Sequence, residues 1–299
     1  LSIGHHRACQ KPDECTTGEA LVLQAGTGLS MNYFYINLDR EHARAQHVEQ
    51  QFAACSRQPL QRFSAIDTQW IAQHAVAGSI RPVEKACYMS HLTLLKGQQA
   101  TQAPLCIFED DVSFFPETEQ IIQAAIAAAA NTPWDILFTN VCIPDLHTMI
   151  DLFMLHRQLQ ASQGLQLLPL QNMNFAGAAG YIVNPNALQK LCQYLDQPAL
   201  DLPYDLVLRE LTHSGQINSF AIFPFATGLS NYANQSQIQE GSPLTDLAWN
   251  AVRGLLGWNV EAQPLLQSLR SVPPDYMDDA SEVFSHALGV MLAKNFQIK

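Results

Sequence analysis

Four apolar residues, Leu105-Cys106-Ile107-Phe108, run directly into three carboxylates, Glu109-Asp110-Asp111, and this stretch constrains the chain more than any other. A short apolar run without alternation fits a strand buried on both faces, which needs a sheet covered by helices. The acids then fall at the carboxyl end of a central strand, the edge where open α/β sheets bind ligands. Three adjacent carboxylates repel one another, and hard oxygen donors attract Mg²⁺ or Mn²⁺, ions that also hold phosphates. The stretch reads either as a metal–diphosphate site or as a solvated acidic turn.

The rest of the chain supplies the layers. Strands are expected at Asn32–Leu38, Leu60–Ile66, Trp134–Asn140 and Ser219–Phe223. Helices are expected over Arg40–Phe52, capped by Asp39, and over Pro82–Gln99, opened by its proline. Further helices are expected at Glu117–Ala130, Leu146–Leu159 and Asp201–Thr212, with a Gln- and Leu-rich loop closing 141–173. Cys87, His91, Leu94 and Leu95 share one helix face, the usual place for core residues. The small-residue run Phe175–Val183 lacks the dinucleotide fingerprint and instead suits close backbone approach to a ligand or a neighbouring strand. It leads into Asn184-Pro185, a cap and first-turn proline for a helix ending at Leu195.

The expected organisation is a disordered N-terminal appendage over 1–30, an α/β domain over 31–230 and a helical C-terminal extension over 231–299. Residues 1–30 lack the apolar core of a secretory signal. They carry His5, His6, Cys9 and Cys15 in no recognised ligand spacing. The seven cysteines are dispersed without a CxxC pair, which points to a reducing compartment. A net charge of −11 works against nucleic-acid binding and against anionic membrane surfaces. No apolar run reaches the roughly 18 residues of a membrane span.

Several stretches, in order, resemble glycosyltransferase family 25, the lipooligosaccharide and collagen galactosyltransferase group. Ile36-Asn37-Leu38-Asp39-Arg40, with Arg44 after it, is similar to the family's "INLDR…R" opening, and Arg62–Asp67 to its "RF-x-A-x-D" segment. Ala86-Cys87-Tyr88-Met89-Ser90-His91 resembles the "GCxxSH" helix, with Ala86 where the family usually has glycine. Ile107–Val112 resembles the "LEDD" strand and Trp134–Leu137 a "WDIL" strand. Gly177–Val183 resembles "GTxAYxIS", with Ala178 and Ala179 departing from it, and Pro203-Tyr204-Asp205 lies at a "P-x-D" segment. The resemblance covers about Tyr33 to Phe225.

It implies a GT-A-like fold with a mostly parallel sheet, and transfer of a hexose, most often galactose, from a UDP-sugar with inversion. It also implies Mn²⁺ or Mg²⁺ on Asp111 and Asp110, with Glu109 or Asp110 reaching the ribose or metal-bound water. Asn37, Leu38 and Arg40 would flank the nucleotide, Arg40 or Arg44 would pair with a phosphate oxygen or else be a solvated helix charge, and Ser90 and His91 would line the site. Asp205 would be the base that takes the acceptor proton, a role a carboxylate suits; a plain first-turn helix carboxylate is the other reading. The partners implied are a UDP-hexose and a glycan or glycolipid acceptor. The work would be cytoplasmic, with peripheral membrane contact through the substrate or an amphipathic tail patch. A nucleotidyltransferase would share the acidic site but needs a Gly- and Lys/Arg-rich triphosphate loop after Leu38, and none is present. A non-catalytic glycan- or protein-binding module is the alternative from another class; it would not need the three acids.

Overall fold

The computed structural model describes residues 21–22, 28–235 and 253–259. In chain order the elements begin with β1 (Leu21–Val22), β2 (Asn32–Asn37), α1 (His42–Cys55), β3 (Leu60–Ser64), α2 (Thr68–Gln73) and α3 (Pro82–Gly97). Next come β4 (Leu105–Glu109), β5 (Val112–Phe114), α4 (Thr118–Ala128), β6 (Ile136–Phe138) and α5 (Leu146–Ser162). The last are β7 (Gly164–Pro169), β8 (Gly180–Val183), α6 (Leu188–Leu195), α7 (Tyr204–His213), β9 (Ser219–Phe223) and β10 (Thr227–Leu229).

Eight strands form one sheet in the order β1-β7-β9-β6-β8-β4-β2-β3. Only β7 and β8 run against the other strands, so the sheet is mixed yet mostly parallel in direction. The strand β4 sits near its middle, parallel to β2 and antiparallel to β8. Its side chains alternate between two cores. Leu105 and Ile107 pack with α3, α5, α6 and α7, while Cys106 and Phe108 pack with α1 and α4. This two-faced burial is why the run shows no polar alternation, and each fully buried large side chain contributes about 1.5–3 kcal/mol.

Several local expectations change. Asp39 does not cap α1, whose N-cap is Glu41; its carboxylate instead receives the guanidinium of Arg62 and the hydroxyl of Ser64. Those bonds hold the loop after β2 against β3. Asp67 is the true cap on this side, accepting from Trp70 N–H at 2.8 Å to start α2. The stretch after α5 is not a loop, because Gly164–Pro169 pairs with β9. A strand also separates the acids from α4: β5 forms a two-stranded ladder with β10. That ladder brings the chain back over the acids, where Ser230 N–H donates to the Asp111 carbonyl at 2.7 Å.

Leu21 and Val22 pair with Leu165 and Gly164 at the sheet edge. Residues 253–259 dock on the chain after β9, through bonds between Phe225 and both Leu256 and Trp258. The His5, His6, Cys9 and Cys15 group lies outside the described residues, as do the helices expected beyond 260. No described helix is long and apolar enough to cross a membrane.

Candidate active site

The carboxyl ends of β2 and β4 place Asn37 and Glu109 side by side, with the first half of α3 facing them. Two adjoining pockets open here and share Cys87, Glu109 and Asp111. The first is lined by Asn37, Leu38, Arg40, Arg44, Ser90, His91 and Asp110. The second is lined by Glu84, Gly177, Tyr204, Asp205 and Arg253. The site residues that the family resemblance implies therefore meet at one edge of the sheet, with Asp205 in the second pocket.

Their contacts divide the labour. Asp110 is engaged on both oxygens, by Asn37 Nδ2 at 2.8 Å and Arg44 Nη1 at 3.0 Å. Burial raises its pKa, and these two donors oppose the shift. Arg44 also donates to the Tyr232 carbonyl, tying α1 to the segment beyond β10. Arg40 stays largely exposed beside Glu41. Ser90 is a brace: its hydroxyl donates to the Ala86 carbonyl and accepts from Ile66 N–H. His91 is buried, with Nδ1 2.9 Å from the Tyr181 hydroxyl and Nε2 3.5 Å from Glu109 Oε1.

Asp111 is the acid of the three with a buried oxygen left unsatisfied. Its Oδ1 is buried without a hydrogen-bond partner among the described residues. Burial, reinforced by Glu109 and Asp110, pushes its pKa up to about 7. Such a carboxylate is costly unless a cation joins it. His91 Nε2, buried without a hydrogen-bond partner among the described residues, lines the same pocket 3.5 Å from Glu109 Oε1, a further carboxylate. These residues fit a divalent ion. Asp110 is the poorest candidate ligand of the three acids, since its lone pairs already serve Asn37 and Arg44.

In the second pocket, Asp205 sits in the first turn of α7 and accepts from Gly177 N–H at 2.8 Å. Gly177 adopts φ +88°, a backbone state that favours glycine and turns this N–H toward the carboxylate. The pocket's surprise is Arg253, which sequence reasoning assigned to the C-terminal extension. It is nine-tenths buried, donates Nε–H to Asn140, and leaves Nη2 without a partner among the described residues. Burial lowers its pKa, opposed first by Cys142 and then by Asp111, Glu109 and Asp205. Its one sequence signal was a lone cation inside the apolar run Ala251–Trp258. Cys87, expected as core, is instead a half-buried wall of both pockets, and burial pushes its thiol well above the usual range.

The model of glycosyltransferase family 25, described as an LPS biosynthesis protein, matches residues 31–208. No curated protein matches the chain. The match spans more than half of the sequence, and the chain belongs to this family.

Proposed function

We propose that this family 25 chain moves a hexose, galactose foremost, from a UDP-sugar to a glycan acceptor such as lipooligosaccharide, with inversion and with the help of a divalent ion. The observation that carries the reading is the pair of adjoining pockets sharing Glu109 and Asp111. One offers a polar and apolar wall at the ends of β2 and β4, and the other offers a carboxylate and a buried cation. The strand directions, with the site at the carboxyl edge, support a GT-A-like nucleotide-sugar fold over 31–230.

The nucleotide lies in the first pocket, along Asn37, Leu38, Arg40 and the α3 face that carries Ser90 and His91. Asp110, held by Asn37 and Arg44, keeps that wall rigid. The acceptor enters the second pocket. Its hydroxyl oxygen attacks the anomeric carbon as the bond from that carbon to the diphosphate oxygen breaks. Asp205 takes the hydroxyl proton, and its Gly177 bond aims it for that task. Bound at Glu109 and Asp111, a divalent ion would neutralise charge on the departing diphosphate. Arg253 Nη2 supplies a second positive contact to the same leaving group. The acceptor is a sugar–lipid precursor met in the cytoplasm at the membrane surface.

The test is a panel of UDP-galactose, UDP-glucose and UDP-N-acetylhexosamines with lipooligosaccharide acceptors, with and without Mn²⁺ or Mg²⁺. Release of UDP and the anomeric configuration of the product are read together. Metal-dependent transfer of one hexose with inverted configuration supports the reading. Retained configuration would overturn the mechanism, and no turnover of any donor would overturn the assignment.

A further inference from the structure

We propose that Cys87, His91 and Glu109 form a thiolate–imidazole–carboxylate site for a borderline divalent cation such as Zn²⁺ or Co²⁺. The inference rests on the metal-assisted reading above and deepens it: Glu109 remains a ligand, Cys87 and His91 join it as donors, and Asp111 lines the same pocket.

The three donor atoms lie within 4.8 Å of one another. Cys87 and His91 stand one turn apart on α3, so both side chains face the end of β4, where Glu109 sits. His91 Nε2 and Glu109 Oε1 are 3.5 Å apart and make no hydrogen bond. That separation matches one edge of a tetrahedron, about 3.4 Å for metal–ligand bonds near 2.1 Å. His91 Nε2 is buried and has no hydrogen-bond partner among the described residues, only the Glu109 carboxylate at 3.5 Å, and an ion between the two would satisfy both.

The imidazole is already oriented as a ligand would be. Its Nδ1 lies 2.9 Å from the Tyr181 hydroxyl, which is 2.8 Å from the Tyr204 hydroxyl. The Tyr204 ring stacks on it at 4.3 Å between centroids. With the proton on Nδ1 donated to Tyr181, Nε2 presents its lone pair toward Glu109. This is the outer contact that fixes tautomer and ring angle in metal-binding histidines.

Ligand chemistry selects the ion. Mg²⁺ takes oxygen donors, whereas a thiolate and an imidazole together favour Zn²⁺ and Co²⁺. Three protein donors would leave room for a further ligand from the two pockets that Cys87 and Glu109 line. Binding converts the Cys87 thiol to thiolate and releases one proton to solvent.

The experiment is a Co²⁺ titration of the chelator-stripped full chain, read by absorption, followed by Zn²⁺ competition. The expected result is a near-ultraviolet thiolate-to-cobalt band that saturates at one equivalent and disappears on adding Zn²⁺. Cys87→Ala abolishes the band and weakens Zn²⁺ binding by about tenfold or more. Tyr181→Phe keeps the band but weakens binding, since the ligands remain and only the orienting contact is gone. Circular dichroism confirms that each variant is folded. A wild-type protein without the band, or a band that survives in Cys87→Ala, overturns the proposal. So does Co²⁺ binding that Asp111→Asn abolishes and Cys87→Ala leaves intact. UDP-galactose binding in the same samples separates the two claims. A cobalt–thiolate band without UDP-sugar binding sustains the site and sinks the transferase reading. Mn²⁺-dependent UDP-sugar binding without the band does the reverse.

Discussion

Arg44 Nη1 lies 3.0 Å from Asp110 Oδ1, with the two side chains only 16% and 15% exposed, and this pair clamps α1 to the carboxyl end of β4. Removing one partner strands a largely buried charge. Arg44→Met is expected to cost about 3 kcal/mol in urea unfolding. Adding Asp110→Asn should recover part of that loss, because the stranded carboxylate is gone. A loss below about 1 kcal/mol in the single variant would show that Asn37 alone satisfies Asp110.

Arg253 Nη2 is the only described arginine atom buried without a partner. Arg253→Gln should lower affinity for UDP by roughly ten- to a hundredfold, the worth of one charged hydrogen bond. Affinity for UMP, which lacks the second phosphate, should hardly change. Calorimetric titration of both nucleotides checks this, and an equal loss for both would make Arg253 a structural tether.

Asp205→Asn keeps an oxygen for the Gly177 N–H but removes the proposed base. Its kcat is expected to fall by roughly 10²–10⁴, with donor binding unchanged. Parallel measurement of turnover and UDP-sugar affinity distinguishes this from collapse of the pocket. An active Asp205→Asn variant would remove Asp205 from the mechanism.

Gly180 begins β8 where a Cβ would stand 2.3 Å from Thr139 Oγ1 and 3.1 Å from the Phe108 ring. Both neighbours are buried, so Gly180→Ala should destabilise by about 1–3 kcal/mol through overpacking. Thermal unfolding gives the value. An unchanged midpoint would mean that Thr139 turns away at little cost.

Acid should loosen the docking of residues 253–259. His156 is buried on α5 and its Nε2–H donates to the Gly257 carbonyl at 2.8 Å. Burial lowers its pKa below the ordinary 6.5, and the Gly257 bond only partly opposes this. The unfolded chain therefore takes up a proton near pH 6.5 that the folded chain still refuses. The stability contribution is full above that pH and is lost as pH falls toward the folded value. Unfolding midpoints at pH 7.5 and 5.5 should differ less in His156→Gln than in the wild type.

The sheet and the first pocket were legible because they rest on local patterns. The unbroken apolar run of β4 and the acids after it declare both a buried strand and the end that lines the first pocket. Pro82 and the i, i+4 spacing of Cys87 and His91 declare α3 and its inward face. What sequence could not show is choice among equivalent partners. Asp39 stood where a helix cap belongs, yet Arg62 and Ser64, some 25 residues on, compete for it more strongly. The strand β7 was hidden because its partner β9 lies far along the chain and its Gln and Leu residues suit a loop as well. Arg253 showed only as a lone cation in an apolar run, for a similar reason: its segment docks from outside the recognisable stretch.

The most direct measurement is equilibrium binding of UDP-galactose to the wild type and to Asp111→Asn, with and without Mn²⁺ or Zn²⁺. The account predicts tight binding only with a divalent ion, weakened by Asp111→Asn. Binding that ignores both the ion and the substitution would contradict the metal–diphosphate site, and no binding in any condition would contradict the transferase assignment itself.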